Sequence, residues 1–243
     1  MMKKKTFIKE IILVISIFFI IYFSVNNLSK LITDQIDNND IVFVLYGNSI
    51  MKDINSYLIT IVSFFINIIN LGKYTKTYSL IRYEYKTKIV NNVVKDIIMN
   101  NTKFITLLNI IFCLNIIIFF DLSYINNIFI IYILVSSIVQ ILGLTIIMMV
   151  IVFVYLIIKN IIYSSIIIFS ILTLQESFLR VIKSEFKSFL KILFLRCDFI
   201  NYFNNTFIQV SCIFSFTFAN ILLYIMINDK LRKRDFLNEK KKY

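Results

Sequence analysis

The sequence predicts an all-α polytopic membrane protein with six transmembrane helices, both termini cytoplasmic, and amphipathic interfacial helices. Three observations carry this. Of 243 residues, 59% are hydrophobic and only 16% charged, well below the ~25% charge of soluble domains. Apolar runs of 17 residues or more recur, each long enough to cross ~30 Å of hydrocarbon; a soluble core has no way to hide several of them. The formal net charge is +12, and apart from Lys159 it falls outside the runs, in the connecting segments and at the two ends.

The first span, about 8–26, contains "IILVISIFFIIYFSV" behind Lys3, Lys4 and Lys5. The following "NNLSK" offers no small-residue cleavage site, so it reads as an uncleaved span. Residues 26–53 hold two Lys and four Asp, which suits an outside loop. The second span is 54–72. Residues 73–103 hold seven Lys/Arg and two acids, as a cytoplasmic loop should. The third span, 104–121, closes at Asp121.

An apolar tract of 48 residues follows, Ile128 to Gln175. As one helix it would be ~72 Å long, too long for one crossing. Two crossings fit, 128–157 and 160–175, with the turn near Lys159-Asn160, the only charged point in the tract. Residues 176–205 carry five Lys/Arg and three acids on the expected outside, against the positive-inside rule. The last span is 206–228, followed by "KLRKRDFLNEKKKY". Six crossings put both termini on one side, and both are basic, hence cytoplasmic. The whole chain, 1–243, reads as a single transmembrane domain.

Two amphipathic segments are expected. In 82–101, Ile89, Val90, Val93, Val94, Ile97 and Ile98 recur at helical spacing, with Lys88, Asn91, Asn92, Lys95 and Asp96 opposite. This is either a helix lying at the headgroups or one that couples to a cytoplasmic partner. In 176–197, Phe178, Val181, Ile182, Phe186, Phe189, Leu190 and Leu193 face a stripe of Arg180, Lys183, Lys187 and Lys191. It reads as an interfacial helix on the outer side.

The absences exclude function classes. No span has a clear interior Asp, Glu, Lys or Arg, so an ion relay is not expected. No His occurs, which removes His-based metal sites and Ser-His or Cys-His pairs. Cys113, Cys197 and Cys212 read as small hydrophobes rather than metal ligands. No Gly-rich phosphate loop exists. No catalytic residue, metal or cofactor is therefore expected on this chain, and the positive charge is explained by topology rather than by nucleic acid.

Amides occur within spans: Asn67, Asn70, Asn109, Asn115, Gln140, Gln209 and Asn220. Such groups bond between helices. Alternatively Asn109, Asn115, Gln140, Gln209 and Asn220 line a substrate path.

The order of parts resembles the membrane subunits of type-2 ABC exporters. It is most similar to small permeases of bacteriocin-export or immunity type in low-GC Gram-positive bacteria. Those carry an "R-Y/F-x-S/K-x-K-x" run after the second span, and here "RYEYKTK" supplies Arg82, Tyr83, Lys86 and Lys88. The resemblance implies that a cytoplasmic ABC ATPase, holding ATP and Mg, contacts Arg82, Tyr83, Lys86, Lys88, Val90, Val93, Val94 and Ile97. It implies a second permease copy or a related permease, a place in the bacterial plasma membrane, and export of a peptide-like or amphipathic substrate. The alternative is a stand-alone membrane immunity or accessory protein that binds a toxin or another membrane protein. The chain departs from the family in having no Pro and only three Gly.

Overall fold

Residue 18, residues 21–22, residue 26, and residues 38–50, 53–77, 86–120, 125, 127–182, 189–193 and 202–233 are described by a computed structural model. Among them the chain is all-helical. In order come α1 (Asn38–Ile50), α2 (Asp53–Thr77), α3 (Lys86–Phe119), α4 (Asn127–Ile158), α5 (Ile161–Val181), α6 (Phe189–Leu193) and α7 (Tyr202–Lys233). Four are long and apolar enough to cross a membrane, over Lys88–Phe119, Asn127–Ile158, Ile161–Leu179 and Val210–Leu231. In α2 the apolar stretch is shorter, Asn55–Ile68. The expected first span lies outside the described residues except at Phe18, Ile21, Tyr22 and Asn26.

The expected division between a surface segment ending at 101 and a span starting at 104 is absent, because α3 runs unbroken through both. Nothing between Lys86 and Phe119 stops a helix: there is no Gly or Pro. One buried stripe follows the whole length, through Val90, Val93, Ile97, Asn101, Phe104, Leu108, Ile111, Asn115 and Ile116. Its steps of mostly three or four residues keep it on one helix face. Similarly, the expected outer segment does not begin at 176, since α5 continues to Val181.

The long apolar tract breaks at Lys159-Asn160. The Lys159 amide donates to the Tyr155 carbonyl at 2.8 Å and closes α4. Lys159 then takes φ 65°, the left-handed conformation common just past helix ends. Asn160 caps α5: its Oδ1 accepts from the amides of Ile162 (3.0 Å) and Tyr163 (3.3 Å).

The described residues fall into two compact units. One takes Met1–Val62, Lys103–Gln140 and Leu190–Ser211; the other takes Ser63–Thr102, Ile141–Phe189 and Cys212–Tyr243. The first is built around Tyr46 of α1, fully buried among aromatic rings. Its ring centroid lies 5.1 Å from Phe112, 6.0 Å from Phe129 and 5.9 Å from Tyr132, all near edge-to-face. In the second unit α3 packs between α4 and α7. Val90, Val93 and Ile97 meet Met149 and Val152 of α4 and Ile227 and Leu231 of α7 around a void of about 10 Å³. With apolar walls and room for at most about one water, that void stays dry.

Candidate functional site

Two polar assemblies and one helix face hold several of the sequence-nominated residues. In the first unit, polar groups form a directed chain. Gln140 Nε2 donates to the Tyr46 hydroxyl at 3.4 Å. That hydroxyl donates to Asn109 Oδ1 at 3.1 Å. Asn109 Nδ2 donates to the Ser137 hydroxyl at 2.7 Å, which donates to the Ile133 carbonyl at 2.6 Å. Each donor is also an acceptor or shares a group with one, so the bonds polarise one another in the same sense. Gln140 Oε1 is buried and without a partner among the described residues.

In the second unit a tighter assembly centres on Asn101, which is fully buried. Its Oδ1 accepts from the Ser63 hydroxyl at 2.9 Å and from Asn67 Nδ2 at 2.8 Å. Its Nδ2 donates to Thr145 Oγ1 at 3.2 Å. Thr145 donates in turn to the Ile141 carbonyl at 2.7 Å. Asn100 Nδ2 donates to Asn67 Oδ1 at 3.3 Å. Helices α2, α3 and α4 are thereby tied at one level. In hydrocarbon, where apolar contact between helices gains little over lipid, such bonds are a main source of specific association.

Of the residues nominated for a substrate path, two come together within the first unit. Asn109 and Gln140 meet through Tyr46 inside closed aromatic packing. Asn115 donates to the Ile111 carbonyl of its own helix. Asn220, in the other unit, donates to the Leu142 carbonyl at 3.1 Å and to Phe216 at 2.9 Å. The side chain of Gln209 lies outside the described residues. Ser63, Asn101, Thr145 and Tyr46 were not singled out by sequence, although Ser63, Asn67 and Asn101, Thr145 sit at helical positions facing the same neighbours.

The residues nominated for ATPase contact split between two faces of α3. Val90, Val93 and Ile97 are 1%, 4% and 1% exposed; they pack against α4 and α7. Val94 is half-buried. Lys88 is exposed, together with Asn91, Asn92 and Lys95. The Tyr224 hydroxyl of α7 donates to Asn91 Oδ1 and fixes one edge of that polar face. Arg82 and Tyr83 lie outside the described residues, as does the side chain of Lys86.

Among the described residues no group of His, Cys, Asp and Glu could hold a metal. Comparison with protein families, curated proteins and solved structures gives no match to this chain.

Proposed function

We propose that the chain is the membrane subunit of an exporter driven by a separate ABC ATPase, crossing a bacterial plasma membrane six times with both termini in the cytoplasm. The observation that carries this reading is the continuity of α3. At 34 residues it is about 51 Å long, whereas ~20 residues cross the hydrocarbon. Roughly 14 residues therefore extend beyond it. These belong to the Lys86 end, where Lys88 and Lys95 keep their charges in water.

The distribution of charge supports the orientation. Lys73, Lys76, Lys86, Lys88, Lys159 and Lys230 fall at the ends of α2, α3, α4 and α7 that the proposed topology puts in the cytoplasm. A shared cytoplasmic side for them satisfies the positive-inside rule. A partner bound at the polar face of Lys88, Asn92 and Lys95 would act on a rigid rod, and movement there would reach the span directly. The apolar residues Val90, Val93 and Ile97 carry the load to α4 and α7. Because Asn109 and Gln140 are enclosed, the path for a peptide-like or amphipathic substrate is assigned to the junction with a second permease copy or a related permease.

The test uses the outward face alone. Asn92→Glu with Lys95→Glu should abolish association of the ATPase while leaving membrane insertion and thermal stability unchanged. Undiminished association would refute docking on this face.

The second reading, a stand-alone immunity or accessory protein, is favoured by one observation: both polar assemblies close within a single chain. It requires that protection or complex formation survive deletion of the ATPase.

A further inference from the structure

We propose that the tip of the α4–α5 hairpin is a membrane-seated surface, covered by the acyl chains of the bilayer leaflet on its side, at a level where α3 faces water. The inference requires only that these helices lie in a membrane and is independent of the transport reading.

Two contacts set the register of α7 against α4. The Asn220 side-chain amide of α7 donates to the Leu142 carbonyl at 3.1 Å. Two turns further on, Ile227 and Leu231 meet Met149 and Val152. The first charged residues of α7, Asp229 and Lys230, stand between Ile227 and Leu231 and are therefore level with Met149–Val152. Such charges mark where a span leaves the hydrocarbon. α4 does not stop there. Phe153 to Ile158 follow without a charge, a further rise of about 9 Å. The turn then sends α5 back. Phe169 meets Phe64 of α2 at 5.1 Å, and the adjacent Ser63 is tied through Asn101 to Thr145 of α4. From Ile161, α5 carries no charge before Glu176.

The tip is apolar on its outer side. Ile157, Ile158, Ile162, Tyr163, Ile166 and Ile167 are between 39% and 65% exposed. In water such a patch would mark an interaction site. Its polar groups are largely used within the hairpin. Asn160 Oδ1 takes the amides of Ile162 and Tyr163. The Ser164 and Ser165 hydroxyls donate to the Asn160 and Ile161 carbonyls at 2.7 and 2.5 Å. A protein interface needs about one hydrogen bond per 100–200 Å², whereas acyl chains need none. The patch also continues along α5 into Ile171 and Leu174, 55% and 67% exposed, inside the stretch long and apolar enough to cross a membrane. The lipid that covers that row reaches the tip, and Tyr163 suits the headgroup level.

On α3 the same level is polar. Val90, Val93 and Ile97 share the void with Met149 and Val152, while Lys88, Asn91, Asn92 and Lys95 are exposed. The hydrocarbon edge is therefore inclined to the helices, as span tilts of up to ~40° allow. It passes α7 near Lys230, leaves the polar face of α3 in water and takes in the α4–α5 tip.

The chain has no Trp, so single substitutions report depth. Ile158→Trp and Ile162→Trp probe the tip and Asn92→Trp the polar face of α3. Phe218→Trp, on the exposed face of α7, gives the fully embedded reference. Each full-length variant is reconstituted alone in phosphatidylcholine vesicles. The quencher is either iodide on both sides of the membrane or bromine near the carbonyl end of the lipid acyl chains. Iodide should quench positions 158 and 162 at least about fivefold less than position 92. The brominated lipid should quench 158 and 162 strongly and 92 weakly. Iodide quenching at 158 and 162 as strong as at 92 would put the tip in water and overturn the proposal. Escape of both tip positions from both quenchers would mean that a second copy covers the tip, and would overturn it too.

Discussion

The side-chain amide of Asn67 on α2 donates to the side-chain carbonyl of Asn101 on α3 at 2.8 Å. Asn101 belongs to a stretch whose composition reads as membrane surface, yet it is fully buried. It accepts from α2 twice and donates to α4.

Asn101→Leu should therefore destabilise the chain more than loss of one bond suggests. It removes the acceptor of Ser63 and Asn67 and leaves both buried. The expected cost is about 1–3 kcal/mol, read as a lower midpoint of thermal unfolding in mild detergent. A cycle of Ser63→Ala and Asn101→Leu should show coupling of roughly 0.6–1.7 kcal/mol. Additive effects would mean that the two side chains do not interact.

Tyr46 separates packing from hydrogen bonding. Tyr46→Phe keeps the ring among Phe112, Phe129 and Tyr132 but removes the hydroxyl between Gln140 and Asn109. Its cost should be about 1–3 kcal/mol. Tyr46→Ala also empties the aromatic cluster and should cost about 3–5 kcal/mol. Comparable unfolding midpoints for the two variants would contradict the enclosed position of this ring.

The two faces of α3 should respond differently to charge. Val93→Asp places a carboxylate among Met149, Val152, Ile227 and Leu231 and should cost more than about 3 kcal/mol. Lys95→Glu, at an exposed position, should stay within ~0.5 kcal/mol. A stable Val93→Asp protein would show that this face is open to solvent or to a partner.

The proposed orientation predicts sidedness. In a background where Cys113, Cys197 and Cys212 are replaced by Ser, Lys95→Cys and Lys159→Cys should react with an impermeant maleimide only from the cytoplasm. Asn127→Cys, at the other end of α4, should react only from outside. Labelling of positions 127 and 159 from the same side would break the crossing assigned to α4.

Several features were legible in the sequence for simple physical reasons. A 48-residue apolar tract cannot cross once, and its single charged point coincides with the break where Lys159 takes a positive φ and Asn160 caps α5. Burial along α3 also follows the 3.6-residue period. Other features were hidden. α1 lies in a stretch that reads as a loop, because its 13 residues are too few to span and Gly47 interrupts them. Ile41, Val42, Leu45, Tyr46, Ser49 and Ile50 nevertheless share one buried face, and that spacing was the available signal. The amphipathic segment was expected to end at 101, but partners on α2 and α4 satisfy Asn101 within a continuous α3. No single-helix pattern reveals a partner on another helix.

The central claim, that a separate ATPase works through the Lys86 end of α3, is tested most directly by what the chain brings with it. The tagged protein is purified from its native membrane in mild detergent and its companions are identified by mass spectrometry. The account predicts a soluble P-loop ATPase in stoichiometric amount, lost in the Asn92→Glu, Lys95→Glu variant. Recovery of the chain alone, under conditions that preserve a known ABC complex, would contradict it.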